Sequence, residues 1–152
     1  VGIVLRNLHS GAKKDHKTIA PDLKPLWHSF YHALPEVYRL GVAVLVEGPK
    51  DALVLASADI PAIAVLMAIP SQEHLRVIRR YAGTVLWIGD NDPVDDGRAE
   101  IRMNRAKWQA RELDLGFFSF KIPVKDPAEL AGNREWLERI RDRVKELSLF
   151  SR

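Results

Sequence analysis

Four short apolar runs, set between segments of helical period, constrain this chain more than any other feature. They are Val42-Ala-Val-Leu-Val46, Ala62-Ile-Ala-Val-Leu66, Thr84-Val-Leu-Trp-Ile88 and Phe117-Phe-Ser-Phe-Lys-Ile122. The first is apolar at every position and rich in β-branched residues, so both of its faces must be covered. Between the runs the period changes. Lys50 to Ala58 predicts a mostly apolar, buried helix, with Pro49 suited to its first turn. Ser71 predicts the N-cap of a helix running to about Tyr81. Arg98 to Leu115 carries one apolar stripe (Ala99, Met103, Ala106, Ala110, Leu113), with Gly116 at the stop position. Arg134 to Leu147 predicts a last amphipathic helix with Trp136, Leu137, Ile140, Val144 and Leu147 apolar. Strands alternating with helices predict an α/β fold, an about four-stranded, mainly parallel sheet flanked by helices. The first 40 residues break this rhythm. Gly2 to Leu8 predicts a short strand, His9 to Leu26 a polar, lysine-rich loop, and Trp27 to Leu34 a short helix.

Composition removes several classes. The chain has 152 residues, enough for one ordinary domain, and 28% of them are charged, as in a globular protein. With no cysteine there is neither a disulfide framework nor a cysteine-based zinc site. No apolar run approaches the ~18–20 residues that span a bilayer, and the pattern gives no expectation of a charged-then-apolar leader of the secretory kind. A cytoplasmic protein without a membrane partner is expected. The first residue is Val1, as in a fragment of a longer chain. The net charge of +3 is uneven: residues 1–40 hold six Lys/Arg against three Asp/Glu, leaving 17 of each in the remainder. A basic N-terminal segment suits phosphate or nucleic acid, and equally a solvated loop.

Parallel sheets place their active sites beyond the carboxyl ends of the strands. Here Glu47 follows the first run, and Asp90 and Asp92 follow the third. Carboxylates crowded at neighbouring strand ends repel unless a cation lies between them. Oxygen-only ligands favour a hard ion such as Mg²⁺ or Mn²⁺, which polarises phosphoryl oxygens and stabilises attacking and leaving oxygens. Acids at strand ends also serve as helix caps, and Gly89-Asp-Asn-Asp92 is a common turn composition.

Three segments resemble the Toprim family, the nucleotidyl-transfer and hydrolysis module of primases, topoisomerases and related nucleases. Val44-Leu-Val-Glu-Gly-Pro-Lys-Asp-Ala-Leu53 is similar to its first motif, a strand followed by Glu-Gly-x-x-Asp. Leu86-Trp-Ile-Gly-Asp-Asn-Asp92 is similar to its second, a strand followed by Asp-x-Asp. Lys125-Asp-Pro-Ala-Glu-Leu130 resembles the segment after the fourth strand in bacterial and phage primases. The resemblance implies a Toprim-like compact fold over residues 41–133, preceded by a basic strand-and-loop extension (1–40) and followed by a helix packed on the domain (134–152). It implies Glu47 as general acid/base, Asp90 and Asp92 as metal ligands with catalytic roles, and Glu47, Asp51 and Asp126 completing the acidic group around the ion.

Two departures stand out. Asp90-Asn-Asp92-Pro-Val-Asp-Asp96-Gly97-Arg98 is two residues longer than the family pattern, and adds Asp95 and Asp96 as further ligands or helix caps. Leu66-Met-Ala-Ile69 stands where primases usually place a glycine, a departure expected to narrow the approach to the site.

The leader Gly2-Ile-Val-Leu-Arg6 with Lys13-Lys-Asp-His-Lys-Thr18 resembles the strand and basic loop that precede the module in primases. Lys13, Lys14 and Lys17 would there hold phosphates, with Lys50, Lys125 and Arg98 completing the nucleotide- and nucleic-acid-binding set. Arg98, Arg102 and Arg105 share a helix face that suits a phosphate backbone or plain solvent. Trp87, Trp108 and Trp136 read as packing residues. No phosphate-cradling Gly-x-x-x-x-Gly-Lys loop is present.

The expected activity is Mg²⁺- or Mn²⁺-dependent synthesis of RNA primers in replication, from ribonucleoside triphosphates on single-stranded DNA, with a replicative helicase as partner. The alternatives are a Toprim nuclease acting on DNA or RNA and a non-catalytic nucleic-acid-binding module.

Overall fold

A computed structural model describes residues 3–6, 16–19, 27–91 and 98–151, with side chains from Trp27 to Asn91 and from Glu100 to Ser151. Ile3–Arg6 (β1) and His16–Ile19 (β2) form an antiparallel pair, with Ile3 opposite Ile19 and Arg6 opposite His16. The expected loop from His9 to Leu26 therefore contains a strand. Its sequence, His-Lys-Thr-Ile, has no apolar alternation to reveal it, and the pairing with β1 supplies its backbone bonds.

Phe30–Leu40 (α1) starts later and runs further than the expected helix from Trp27 to Leu34. Pro35 sits inside it, and burial of Phe30, Ala33 and Val37 sustains the helix despite the missing N–H. Gly41 ends it at φ 68°, donating its N–H to Val37 O at 2.8 Å. Trp27 and His28 lie outside the helix. His28 exchanges two backbone hydrogen bonds with Ala64 (2.9 and 3.0 Å), which protects a sheet edge.

Val42–Val46 (β3), Ala62–Ala64 (β4), Thr84–Ile88 (β5) and Gly116–Ser119 (β6) make one parallel sheet in the order β4-β3-β5-β6. Between them lie Pro49–Ala56 (α2), Gln72–Ile78 (α3) and Arg98–Glu112 (α4), and Arg134–Phe150 (α5) follows a 3-10 turn at Pro127–Leu130. This is the expected parallel α/β sheet.

The sheet divides the core in two because successive side chains point to opposite faces. Val42, Val44, Val46, Leu86 and Ile88 pack with Ala52 and Leu55 of α2 and with Leu137, Ile140, Val144 and Leu147 of α5. Ala43, Leu45, Val85 and Trp87 pack with Phe30 and Val37 of α1, Leu75 and Ile78 of α3, and Ala110 of α4. Every residue of β3 and β5 is buried, which explains their uninterrupted apolar runs.

α2 and α3 end two or three residues before the expected Ala58 and Tyr81, α5 runs on from Leu147 to Phe150, and three further boundaries depart for local reasons. β4 ends at Ala64 because Leu66 turns the chain at φ 56°. α4 stops at Glu112, with Asp114 taking the left-handed conformation at φ 52°, so Gly116 opens β6 and does not end the helix. β6 ends at Ser119, short of Ile122. Trp87 is buried as expected, and Trp136 is half-buried against Phe120. Trp108 is 60% exposed, so it is not a packing residue among the described ones. No helix among the described residues is long and apolar enough to cross a membrane.

Candidate active site

The β3–β5 register sets Val46 beside Ile88, so the residues that follow them leave the sheet side by side. Glu47 is the first residue after β3, and Gly89 and Asp90 follow β5. The Asp90 N–H donates to Glu47 Oε1 at 3.0 Å, joining residues 43 positions apart. Glu47 is also fixed through its backbone, since its carbonyl accepts the Leu66 N–H at 3.0 Å. Leu66 thus supplies, at a left-handed φ of 56°, a turn for which glycine is the usual residue. Both acids are half-buried, and Asp90 Oδ1 lies wholly beneath the surface.

Gly89 lets this corner close. A Cβ there would lie 2.7 Å from Nε1 of Trp87, whose ring is buried under the strand end. Asn91 continues the connection by donating its N–H to Lys125 O at 2.6 Å. The loop carrying Asp90 is thereby attached to the segment Lys125-Asp126-Pro127.

Asp51 braces the other side. It is the third residue of α2, buried, and its Oδ2 accepts the Gly48 N–H at 2.9 Å in a capping-box arrangement. Its Oδ1 accepts the Ala128 N–H at 3.0 Å, from the 3-10 turn. One carboxylate so ties the residue after Glu47 to the turn that begins at Asp126. Burial raises the Asp51 pKa, the two backbone N–H groups oppose the rise, and the nearby Asp126 charge adds to it. Asp126 caps that turn, its Oδ1 accepting the Glu129 N–H at 3.2 Å. Glu129 in turn accepts the Lys125 N–H at 3.1 Å.

The expected site residues thus fall into two linked pairs, Glu47 with Asp90 and Asp51 with Asp126. Among the described residues no group of three or more His, Cys, Asp or Glu is arranged to hold an ion. Asp92, Asp95 and Asp96 lie outside the described residues, as do Lys13 and Lys14. Lys17 lies in β2 opposite Leu5, and Arg98 opens α4; their side chains are outside the described set. Lys50 and Lys125 are exposed. The donor set at the strand ends, carboxylate oxygen only, has the chemistry of a hard divalent ion, and one or two carboxylates suffice for Mg²⁺ when phosphate supplies further ligands.

Sequence reasoning assigned no role to Gly89 or Asn91, whereas Leu66 stands at the noted departure from glycine and takes the positive φ that a glycine would have taken. The spacing Gly48-Pro-Lys-Asp51 carried a readable capping signal. The reach from Asp51 to Ala128, 77 positions away, left no local trace.

No protein-family model matches the sequence, and neither does any curated protein. Solved structures do. The zinc-binding and RNA polymerase domains of Aquifex aeolicus primase superpose with a TM-score of 0.76 at 22% identity, over 95% of this chain and 36% of that one. The RNA polymerase domain of Mycobacterium tuberculosis primase gives 0.74 at 23%, over 95% and 50%. A primase catalytic domain bound to single-stranded DNA gives 0.72 at 19%, over 93% and 48%. The chain spans between about a third and a half of these neighbours. It has the Toprim-like α/β fold of the bacterial primase catalytic cores.

Proposed function

We propose that the chain is the catalytic core of a primase-type nucleotidyltransferase that joins ribonucleotides on a single-stranded DNA template during replication. The observation that carries this reading is the 3.0 Å hydrogen bond from Asp90 N to Glu47 Oε1, which holds two acids together at adjacent strand ends of a Toprim-like sheet. The single-stranded DNA held by one structural neighbour supports nucleic acid as the partner class.

Asp90 and Asp92 would hold Mg²⁺ or Mn²⁺, with Asp126 and Asp51 nearby. The ion would supply polarisation of the phosphoryl oxygen and stabilisation of the leaving diphosphate. Glu47, oriented by the Asp90 amide, accepts the proton of the attacking hydroxyl as the new O–P bond forms. Asp51 keeps the Glu47 corner and the Asp126 turn in fixed relation. Lys50 and Lys125 at the rim, with Lys13, Lys14, Lys17 and Arg98, bind nucleotide and template phosphates. In this reading residues 1–40 form a basic extension, 41–133 the catalytic unit and 134–152 a supporting helix. A replicative helicase is the partner class that would deliver the single-stranded template.

The test is incorporation of labelled ribonucleoside triphosphates on single-stranded DNA with Mg²⁺, Mn²⁺ or chelator, beside a cleavage control. Metal-dependent products longer than one nucleotide support the reading. Metal-dependent cleavage without incorporation would replace it with a nuclease, and binding that survives chelator without any turnover with a non-catalytic module.

A further inference from the structure

Away from the acidic pair, the open edge of the sheet carries a trough. β6 is the edge strand, and two cavities lie along it. One, of about 450 Å³, is lined by Asp90, Asn91, Asn104, Lys107, Phe120 and Lys121 among others. The second, of about 710 Å³, is lined by Lys107, Arg111, Phe117, Phe118, Arg143 and Phe150 among others. Lys107 lines both, so the cavities meet at its side chain. Ser119 to Ile122 border the first cavity and Gly116 to Phe118 the second. β6 itself covers about 10 Å at ~3.3 Å per residue, and Phe120 to Ile122 carry the border on past its carboxyl end. The trough therefore starts at Asp90 and descends to the amino ends of the strands, where Thr84 and Gly116 lie.

Its chemistry is cationic and aromatic. Among the described residues Lys107, Arg111 and Lys121 form no ion pair. Of the lining acids, Glu146 is matched by Arg143 at 2.6 Å and Asp114 by Arg79 at 3.5 Å. That leaves three cations against Glu100 outside the acidic centre. The Phe118 ring is 40% exposed with the Arg143 guanidinium 5.5 Å from its centroid, and Phe150 is 79% exposed. Cations that track a backbone, interleaved with open rings on which bases stack, are what a single-stranded nucleic acid requires. Among the described residues β6 pairs only with β5, so an added protein strand would also fit there, but it gives no reason for three cations without an ion pair beside it.

We propose that this trough carries single-stranded nucleic acid to or from the acidic centre, with Lys107, Arg111 and Lys121 on phosphates and Phe118 under a base. The inference rests on the nucleic-acid reading above.

The test is fluorescence anisotropy of a labelled single-stranded oligonucleotide with the full chain across a salt series. The variants are Lys107→Ala, Arg111→Ala and Lys121→Ala, singly and combined, and Phe118→Ala. Arg80→Ala and Lys145→Ala, at exposed residues that line neither cavity, control for diffuse charge, and circular dichroism confirms folding. Each lost phosphate contact should lower the slope of log K against log salt by about 0.7, and the combined variant should bind about tenfold more weakly at low salt. Phe118→Ala should weaken binding about tenfold with an unchanged slope.

A folded combined variant with wild-type affinity and slope would overturn the proposal. So would equal losses in the two control variants, or an extended peptide occupying the edge while oligonucleotide does not bind there. Lys107-dependent binding in a wild-type chain that incorporates no nucleotide would uphold the trough and refute the catalytic reading. Normal incorporation with trough-independent binding would do the reverse.

Discussion

The backbone N–H of Asp90 donates to Oε1 of Glu47 at 3.0 Å. The bond exists because β3 and β5 are neighbours in parallel register, so that two segments distant in sequence end at the same level of the sheet. Its donor is backbone, so it orients the Glu47 carboxylate without using the Asp90 side chain. The acid proposed to move a proton and the acid proposed to hold an ion are thus placed by one contact.

Gly89→Ala should damage this corner from beneath. The new Cβ would stand 2.7 Å from Trp87 Nε1, and Trp87 is buried too deeply to move aside. The strand end must lift instead, taking Asp90 with it. The expected outcome is a loss of about 1–3 kcal/mol in stability, the range for overpacking, with metal-dependent activity falling more than substrate binding. Denaturant melts and kcat against KM measure the two effects; wild-type kcat in the folded variant would refute the positioning role of this glycine.

Asp51→Ala should cost about 2–4 kcal/mol, since it leaves the N–H groups of Gly48 and Ala128 without their acceptor. Asp51→Asn keeps a carbonyl oxygen for one of the two and should cost less. The pH dependence has a definite sign. Burial holds the Asp51 pKa above its ordinary 3.8, so between those values the folded chain keeps a proton the unfolded chain has released. Stability from this group is greatest below 3.8 and falls as pH rises through the raised value. The stability of wild type relative to Asp51→Asn should therefore increase as pH is lowered from neutrality through that window, as read by urea melts; a decrease would contradict the assigned burial.

Gly41→Ala tests how the end of α5 is seated. Gly41 is at φ 68°, and a Cβ would lie 3.1 Å from both Cβ and O of Ser151. The left-handed conformation alone costs a side-chain-bearing residue about 1–2 kcal/mol, a drop of several degrees in Tm for a chain this size. Faster amide exchange at the last turn of α5 should accompany it. A destabilised variant with unchanged exchange there would place the whole effect in the α1 cap.

Much of the fold was legible because its physics is local. Val42–Val46 and Thr84–Ile88 are buried on both faces, and their uninterrupted apolar runs report it directly. Ser71 was readable as a cap, and its Oγ accepts the His74 N–H at 3.4 Å. Other boundaries depended on residues whose conformation contradicts their type: Leu66 and Asp114 turn the chain at positive φ where glycine would have announced the turn. β2 has no apolar period, so only its partner reveals it. At the site, the strand-end acids Glu47 and Asp90 were readable from the topology that alternation implies. The second bond of Asp51 and the link from Asn91 to Lys125 join segments distant in sequence, and no pattern within either segment encodes them.

Glu47 is proposed as the proton-transferring group of a metal-dependent nucleotidyl-transfer centre. The most direct measurement compares wild type with Glu47→Gln in labelled-ribonucleotide incorporation on single-stranded DNA with Mg²⁺ or Mn²⁺. The amide oxygen of glutamine can still accept the Asp90 N–H, so folding should be retained while the carboxylate is lost. The predicted result is an unchanged melting curve with incorporation reduced by about 10²–10⁴-fold. Incorporation by Glu47→Gln at the wild-type rate would contradict the account.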